Sequence, residues 1–330
     1  MQPSPYAGGA IPGFEALIHH LGWPDLTSWQ SHWERRDGLG LARHMWPPST
    51  AERWITAVAL PFLNLVERAA AAGETQLIGL SALPGCGKST LGAWLEAAAL
   101  ECKASIAVVS LDDFYWPAEQ LETCMRGNPW DAPRGLPGSH DLALLQDSLD
   151  RWQSTGILRA PCFERSLRDG RGDRAGWRDL HAQVVVLEGW FIGVDPWSPK
   201  QEAADLAMHS ASALVPTPAE IAYRPRINAA LHPYSSLWDR MATIWHLKAP
   251  DTQATVMWKE QQDASMLQST GIAMEATMFR KFLRMLQLAI LPSALQSISR
   301  AEIVIQIDAE RQVESIAVAN LHQHIPKNGS

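Results

Sequence analysis

The sequence is short of cysteine, of charge and of uninterrupted apolar runs, and each shortage removes a class of protein. Four cysteines, Cys86, Cys102, Cys124 and Cys162, are scattered through 330 residues with no C-x-x-C pair. That spacing argues against a disulfide scaffold or a cysteine zinc site and suits a reducing compartment. Charged residues are 19% of the chain, below the ~25% of ordinary soluble proteins. With 46% hydrophobic residues, the chain can bury enough apolar surface to offset its ordering entropy, which excludes intrinsic disorder. Acidic residues outnumber basic ones by 35 to 28, a net charge of −7. No nucleic-acid partner is expected from that balance, although a local basic cleft survives it. Nothing approaches the ~18 apolar residues of a membrane-spanning helix; the run Ala57 to Val66 is interrupted by Pro61 and Asn64. Met1 to Gly13 has no basic residue ahead of an apolar stretch, so no secretory signal is expected and a cytoplasmic, membrane-free protein is the expectation.

Three zones differ in texture. Residues 1–75 are Trp-rich and read as a helical N-terminal extension, with helix-spaced Trp54, Val58, Phe62 and Leu65 and a terminator at Gly73. Residues 76–310 alternate β-rich runs with helical ones, the pattern of a central parallel sheet flanked by helices in an α/β domain. Strands are predicted at Gln76 to Ser81, Ser105 to Leu111, Gln183 to Leu187, Thr243 to Leu247 and Ala301 to Ile307. Residues 311–330 read as a C-terminal tail, and His322 and His324 within it lack a third ligand for a metal site. Two proline-rich stretches, Trp116 to His140 and Asp195 to Pro225, break the alternation. Long connections of this kind are often lids or binding loops, and the second could equally be an inert insertion.

The strongest local signal is Ala82-Leu83-Pro84-Gly85-Cys86-Gly87-Lys88-Ser89-Thr90. It is a P-loop with alanine in the place of the first glycine. The loop from Pro84 to Thr90 would cradle a triphosphate through its backbone N–H groups, which begin at Gly85 because proline has none; Lys88 would neutralise the β/γ oxygens, and the Ser89 hydroxyl would ligate Mg²⁺. The helix starting at Ser89 would turn its positive end toward the phosphates. Ala82 should keep φ negative, and Cys86 should have its thiol pKa lowered by the helix terminus. Two further strands deliver acids: Ser105 to Leu111 ends in Asp112-Asp113, and Gln183 to Leu187 in Glu188. At the carboxyl ends of parallel strands these would face the nucleotide, with Asp112 or Asp113 as a base for an attacking hydroxyl and Glu188 near Mg²⁺. The aspartates could instead cap the next helix, and Glu188 could be a structural carboxylate.

These residues resemble a known family, the D-glycerate 3-kinases of the plant and cyanobacterial type, a branch of the phosphoribulokinase/uridine kinase group of P-loop kinases. The matching stretches are Gly79 to Thr90, Ser110 to Tyr115, Arg134 to Asp141, Gly170 to Arg174 and Leu187 to Trp190. A weaker match runs through Ile227-Asn228, Tyr234, Trp238, Trp258 to Gln262 and Gly271 to Met274. The resemblance implies an ATP- and Mg²⁺-dependent kinase acting on D-glycerate, with Asp112 as general base and Glu188 assisting the metal. Lys259 stands where such kinases usually carry a lid arginine over the ATP phosphates, and lysine lacks the planar fork.

Glycerate is a small anion, so its pocket needs a cation for the carboxylate and polar groups for two hydroxyls. Arg134, Arg168, Arg171 and Arg174 are the candidate carboxylate binders, since the guanidinium fork matches a carboxylate. Tyr115, His140 and Asp113 are the candidates for the hydroxyls, while Asp141 could simply cap a helix beginning at Leu142. Two readings stand beside this one: another small-acceptor kinase of sugars or nucleosides, and a nucleotide-binding regulator using the Trp-rich first 75 residues as its interface.

Overall fold

A computed structural model describes residues 11–209, 214–270 and 275–319. The chain opens with helices α1 (Phe14–His20) and α2 (Leu26–Arg35), the latter capped by Asp25, whose carboxylate accepts the Ser28 N–H. A short α3 (Glu52–Trp54) passes through a π turn at Ile55–Ala59 into α4 (Leu60–Ala71). Strand β1 (Gln76–Ala82) and helix α5 (Lys88–Glu101) follow, then β2 (Ile106–Ser110) and a 3₁₀ turn at Leu111–Phe114. Next come α6 (Ala118–Met125), α7 (Leu142–Thr155) and an antiparallel hairpin of β3 (Ile157–Glu164) and β4 (Asp173–His181). The chain returns to the sheet as β5 (Val184–Gly189), then forms α8 (Pro199–His209), α9 (Pro218–Trp238), β6 (Thr243–Lys248) and α10 (Thr252–Thr270). It ends with α11 (Ala276–Leu288), α12 (Pro292–Gln296), β7 (Ile303–Ile307) and β8 (Val313–Val318).

The main sheet has the order β2-β5-β1-β6-β7-β8, parallel except for β8. Strand β5 is buried at every residue and β1 at all but its first, as expected of strands covered by helices on both faces. Their register aligns Leu80 with Glu188 and Glu188 with Ser110. The carboxyl ends of β1, β5 and β2 are therefore level and adjacent, with β5 in the middle. That edge positions the site.

All five predicted strands are present. Three others were not foreseen: β3, β4 and β8. The boundary at 310 is corrected accordingly, because Val313–Val318 pairs with β7 instead of starting a tail; residues 320–330, including His322 and His324, lie outside the described residues. The described residues of the Asp195–Pro225 stretch are helical in part. They form α8 and the start of α9, where Pro225 lies inside the helix, and a fully buried Arg224–Asp205 ion pair (2.8 Å) ties the two helices together. Residues 11–75 are helical and share one core with the sheet. Trp46 stacks on Trp94 of α5 at 5.4 Å, Trp94 donates to the Leu41 carbonyl, and the Ile316 N–H of β8 donates to Pro12. Trp29, Trp33, Trp46 and Trp54 are buried, which removes them as a docking interface. Among the described residues, no helix is long and apolar enough to cross a membrane.

Candidate active site

Strand β1 runs straight into the phosphate loop. Ala82 completes the strand and keeps its φ out of the positive region, so a methyl group is tolerated where the usual loop has glycine. Gly85 (φ 90°) and Gly87 (φ 92°) make the turn. A Cβ on Gly85 would lie 2.4 Å from the Trp258 Cβ of α10, so that glycine is required by close approach as well as by φ. A Cβ on Gly87 would meet nothing within 4 Å; there the left-handed backbone alone selects glycine. Gly87 caps α5 without a side-chain hydrogen bond, leaving the N–H groups of the first turn for an anion. Lys88 Nζ donates to the carbonyls of Ala82 (2.7 Å) and Leu83 (3.3 Å), arching over the loop. Ser89 is exposed and Thr90 half-buried on the same turn.

One neighbour of this loop, Arg311, was not read from the sequence, and it meets Trp258 of the weaker match. Arg311, in the turn between β7 and β8, donates from Nε to the Gly85 carbonyl (2.8 Å) and lies 5.0 Å from the Trp258 ring. Trp258 in turn donates to the Ala309 carbonyl at 2.7 Å. Lys259 follows Trp258 on α10 and donates to Gln262 at 2.8 Å. The expected lowering of the Cys86 thiol is corrected: burial pushes its pKa up to about 12, which Lys88 and Arg311 offset only in part.

Asp112 lies in the 3₁₀ turn beyond β2, a quarter exposed. Its Oδ1 accepts the Tyr115 hydroxyl at 2.8 Å, and its Oδ2 accepts Arg165 Nη2 at 2.9 Å. His140 Nε2 is 3.9 Å from Oδ1, and the His140 ring stacks on Tyr115. The proton position on His140 follows from its other side. The buried Tyr234 hydroxyl accepts the Gly138 N–H (3.0 Å) and lies 2.7 Å from His140 Nδ1. It has one proton to give, and Nδ1 is there to take it, which leaves the imidazole proton on Nε2, facing Asp112. Burial pushes the Asp112 carboxyl up, but His140, Arg165 and Tyr115 outweigh it and hold the group well below the usual carboxylate range. Asp113 is committed elsewhere: it accepts the Ser110 and Phe163 N–H groups (each 3.4 Å) and pairs with Arg178 at 3.0 Å. Glu188 is 7% exposed; burial raises its pKa against the pull of Lys88, and Ser110 donates to it.

The candidate arginines divide sharply. Arg168 and Arg171 pair with Glu122 (2.5 and 3.9 Å), and Arg174 binds the Tyr115 carbonyl and Asp141 (2.9 and 3.1 Å). Asp141 also caps α7 by accepting the Leu144 N–H. These three arginines hold the β3–β4 hairpin against the loop at 115–141. Arg134 remains: it is 8% exposed, donates Nη1 to the carbonyls of Gly170 and Arg171 (both 2.7 Å), and is near enough to interact electrostatically with Tyr115, Arg165 and Asp112. The guanidinium in contact with Asp112 belongs to Arg165, which no local motif marked, because the hairpin alone brings position 165 to position 112. Of the weaker matching positions, Tyr234 reaches the site through His140, while Gly271 to Met274 lie outside the described residues.

The donor set suits a hard divalent cation shared with phosphate. Mg²⁺ commonly takes one or two protein oxygens and fills its octahedron with phosphate and water. The exposed Ser89 hydroxyl and the Glu188 carboxylate on the neighbouring strand are of that kind, and no group of three or more acidic, His or Cys residues forms a cage among the described residues.

Strand, glycine loop and helix, with acids at the ends of the adjacent strand β5 and of β2 beyond it, give the chain the fold of a P-loop kinase. No protein-family model matches it. The chain is 30% identical over 208 residues to the chloroplastic D-glycerate 3-kinase of Arabidopsis thaliana, across 58% of its own length and 42% of that protein. It thus spans less than half of that plant relative. It is 29% identical over 203 residues to the uncharacterized kinase mug58 of Schizosaccharomyces pombe, across 58% of itself and 71% of the relative. Among solved structures, D-glycerate 3-kinase from Cryptococcus neoformans superposes with a TM-score of 0.69 at 21% identity, over 80% of this chain and 99% of that one. The resemblance read in the sequence is therefore matched both by homologues and by fold.

Proposed function

We propose that the chain is an ATP-dependent kinase that phosphorylates D-glycerate to 3-phosphoglycerate. The observation that carries this reading is Asp112. It sits at the strand edge shared with the phosphate loop, in a chain whose relatives include a named D-glycerate 3-kinase. The loop from Pro84 to Thr90 would bind the triphosphate through its N–H groups, with Lys88 moving from its carbonyl partners to the β/γ oxygens. Ser89 and Glu188 would hold Mg²⁺, which supplies charge neutralisation on those oxygens when bound. Asp112 would take the proton of the acceptor hydroxyl as that oxygen bonds to the γ-phosphorus; the bond to the bridging oxygen breaks, and its electron pair leaves with ADP. The Nε2–H of His140 and the Tyr115 hydroxyl keep Asp112 oriented for that transfer. Buried Arg134 supplies positive charge beside Asp112, as an anionic acceptor requires.

Coupled ADP release tests the reading. D-Glycerate should accelerate it at least ~100-fold over nucleotide alone, as a positioned acceptor would. Nucleotide binding without acceleration by glycerate, sugars or nucleosides would instead indicate a regulator. Acceleration by a sugar or nucleoside and not by glycerate would keep the kinase and replace its acceptor.

A further inference from the structure

Arg165 differs from the four arginines first considered as carboxylate binders. Arg134, Arg168, Arg171 and Arg174 are fastened to backbone carbonyls or to Glu122 and Asp141. Among the described residues the hydrogen-bonded partner of Arg165 is Asp112, through one nitrogen and one oxygen at 2.9 Å, and its side chain is 53% exposed. The backbone that presents it is well fixed: Glu164 accepts both the N–H and the hydroxyl of Ser166, at 3.0 and 2.8 Å. A firm turn thus carries a half-exposed side chain whose hydrogen bond among the described residues is a single one, to Asp112. The contact also engages the carboxylate that the kinase reading makes the proton acceptor, since Tyr115 occupies the other oxygen. Arg134 lies nearby, buried and with no carboxylate partner among the described residues. A buried cation in that condition is costly unless an anion completes its surroundings.

We propose that Arg165 changes partners during turnover, leaving Asp112 for the carboxylate of the acceptor, which it holds together with Arg134. The proposal rests on the kinase reading and deepens it: the carboxylate of the acceptor unlocks the base. A ligand carboxylate can accept two parallel bonds from the guanidinium fork, whereas Asp112 accepts one, so the exchange runs toward the ligand. Once released, Asp112 keeps the Tyr115 hydroxyl and faces His140, but its second oxygen is open to the acceptor hydroxyl. A neutral alcohol of the same size cannot draw Arg165 off, and it meets an occupied base. Specificity then resides in the delivery of the base as well as in binding.

The test compares D-glycerate with glycerol, which has a CH₂OH in place of the carboxylate, in wild type, Arg165→Gln and Arg165→Lys. The exchange predicts opposite shifts in Arg165→Gln. The kcat/KM for glycerate should fall about 100-fold, chiefly through KM, on loss of a charge-assisted pair, while that for glycerol should rise several-fold because Asp112 is no longer engaged. Acetate supplied with glycerol should stimulate wild type by filling the anion subsite and should leave Arg165→Gln unaffected. Arg165→Lys should retain part of the preference for glycerate, and it carries the comparison if Arg165→Gln fails to fold. Parallel losses with both substrates, or wild type unresponsive to acetate, would overturn the exchange while leaving the glycerate kinase intact. Failure of wild type to phosphorylate glycerate would remove the functional reading and this proposal with it.

Discussion

Exchanging Asp112 for asparagine is the sharpest perturbation of the proposed chemistry, because it removes one proton acceptor and little else. The Tyr115 hydroxyl still finds an oxygen at position 112, and the lost ion pair is with a half-exposed arginine, so the variant should fold, at a melting temperature lowered by the loss of a carboxylate that the fold holds ionised. A positioned base contributes roughly 10²–10⁴-fold to a rate. Here the lower part of that range applies. His140, Arg165 and Tyr115 hold the carboxyl well below its usual range, and a weaker base contributes less. A loss in kcat of about 10²–10³-fold follows, or about 2.7–4 kcal/mol of barrier. ATP affinity, measured by calorimetry, should change by less than about threefold, since the phosphate loop supplies those contacts. Asp113→Asn is the matched control. Asp113 serves the Ser110 cap and Arg178, so its loss should lower the melting temperature while sparing most of kcat. An Asp112→Asn enzyme whose kcat in the coupled ADP assay stays within about threefold of wild type would refute the base assignment.

Two further outcomes concern stability. Gly85→Ala combines a left-handed φ of 90° with a Cβ 2.4 Å from that of Trp258, and should cost about 2–5 kcal/mol in urea unfolding. Gly127→Ala, with φ 76° and nothing within 4 Å, should cost about 1–2 kcal/mol; equal losses would show that the Trp258 contact is soft. His246 is the pH probe: burial on β6 depresses its pKa from 6.5 to about 4. Above pH 6.5 the imidazole is neutral both folded and unfolded, so its contribution is fully present there. As pH falls toward 4, the unfolded chain binds a proton that the folded chain refuses, and stability drops by something on the order of 3 kcal/mol. His246→Phe should flatten that decline, and identical losses in the two proteins between about pH 7.5 and about pH 5 would sink the argument.

The parts legible in the sequence were those written in short, local patterns. β1 and β5 are continuous apolar runs because helices cover both of their faces, and the glycine loop is contiguous. β4, by contrast, is mostly exposed (Asp173–His181), and β3 contains Pro161, so neither carried a strand signature. The same blindness concealed the site's cations. Arg171 and Arg174 stood out beside glycines and proved to secure the hairpin, while Arg165 and Arg178, on the stretches flanking those glycines, reach Asp112 and Asp113. Pairing across more than fifty residues leaves no trace in local spacing. Pro225 misled in the other direction: a proline read as a breaker sits within α9, where the buried Arg224–Asp205 pair and the core hold the helix.

The turn at Arg311 also has a practical meaning for anyone dissecting the molecule. Its guanidinium grips the carbonyl of Gly85, and the strand that leaves it is hydrogen-bonded at Ile316 to Pro12. Trimming the protein to 76–310, the span that its alternating pattern suggests, would cut away both the hand on the nucleotide loop and the anchor behind that hand. The smallest excisable catalytic fragment should therefore extend from Pro12 through Val318.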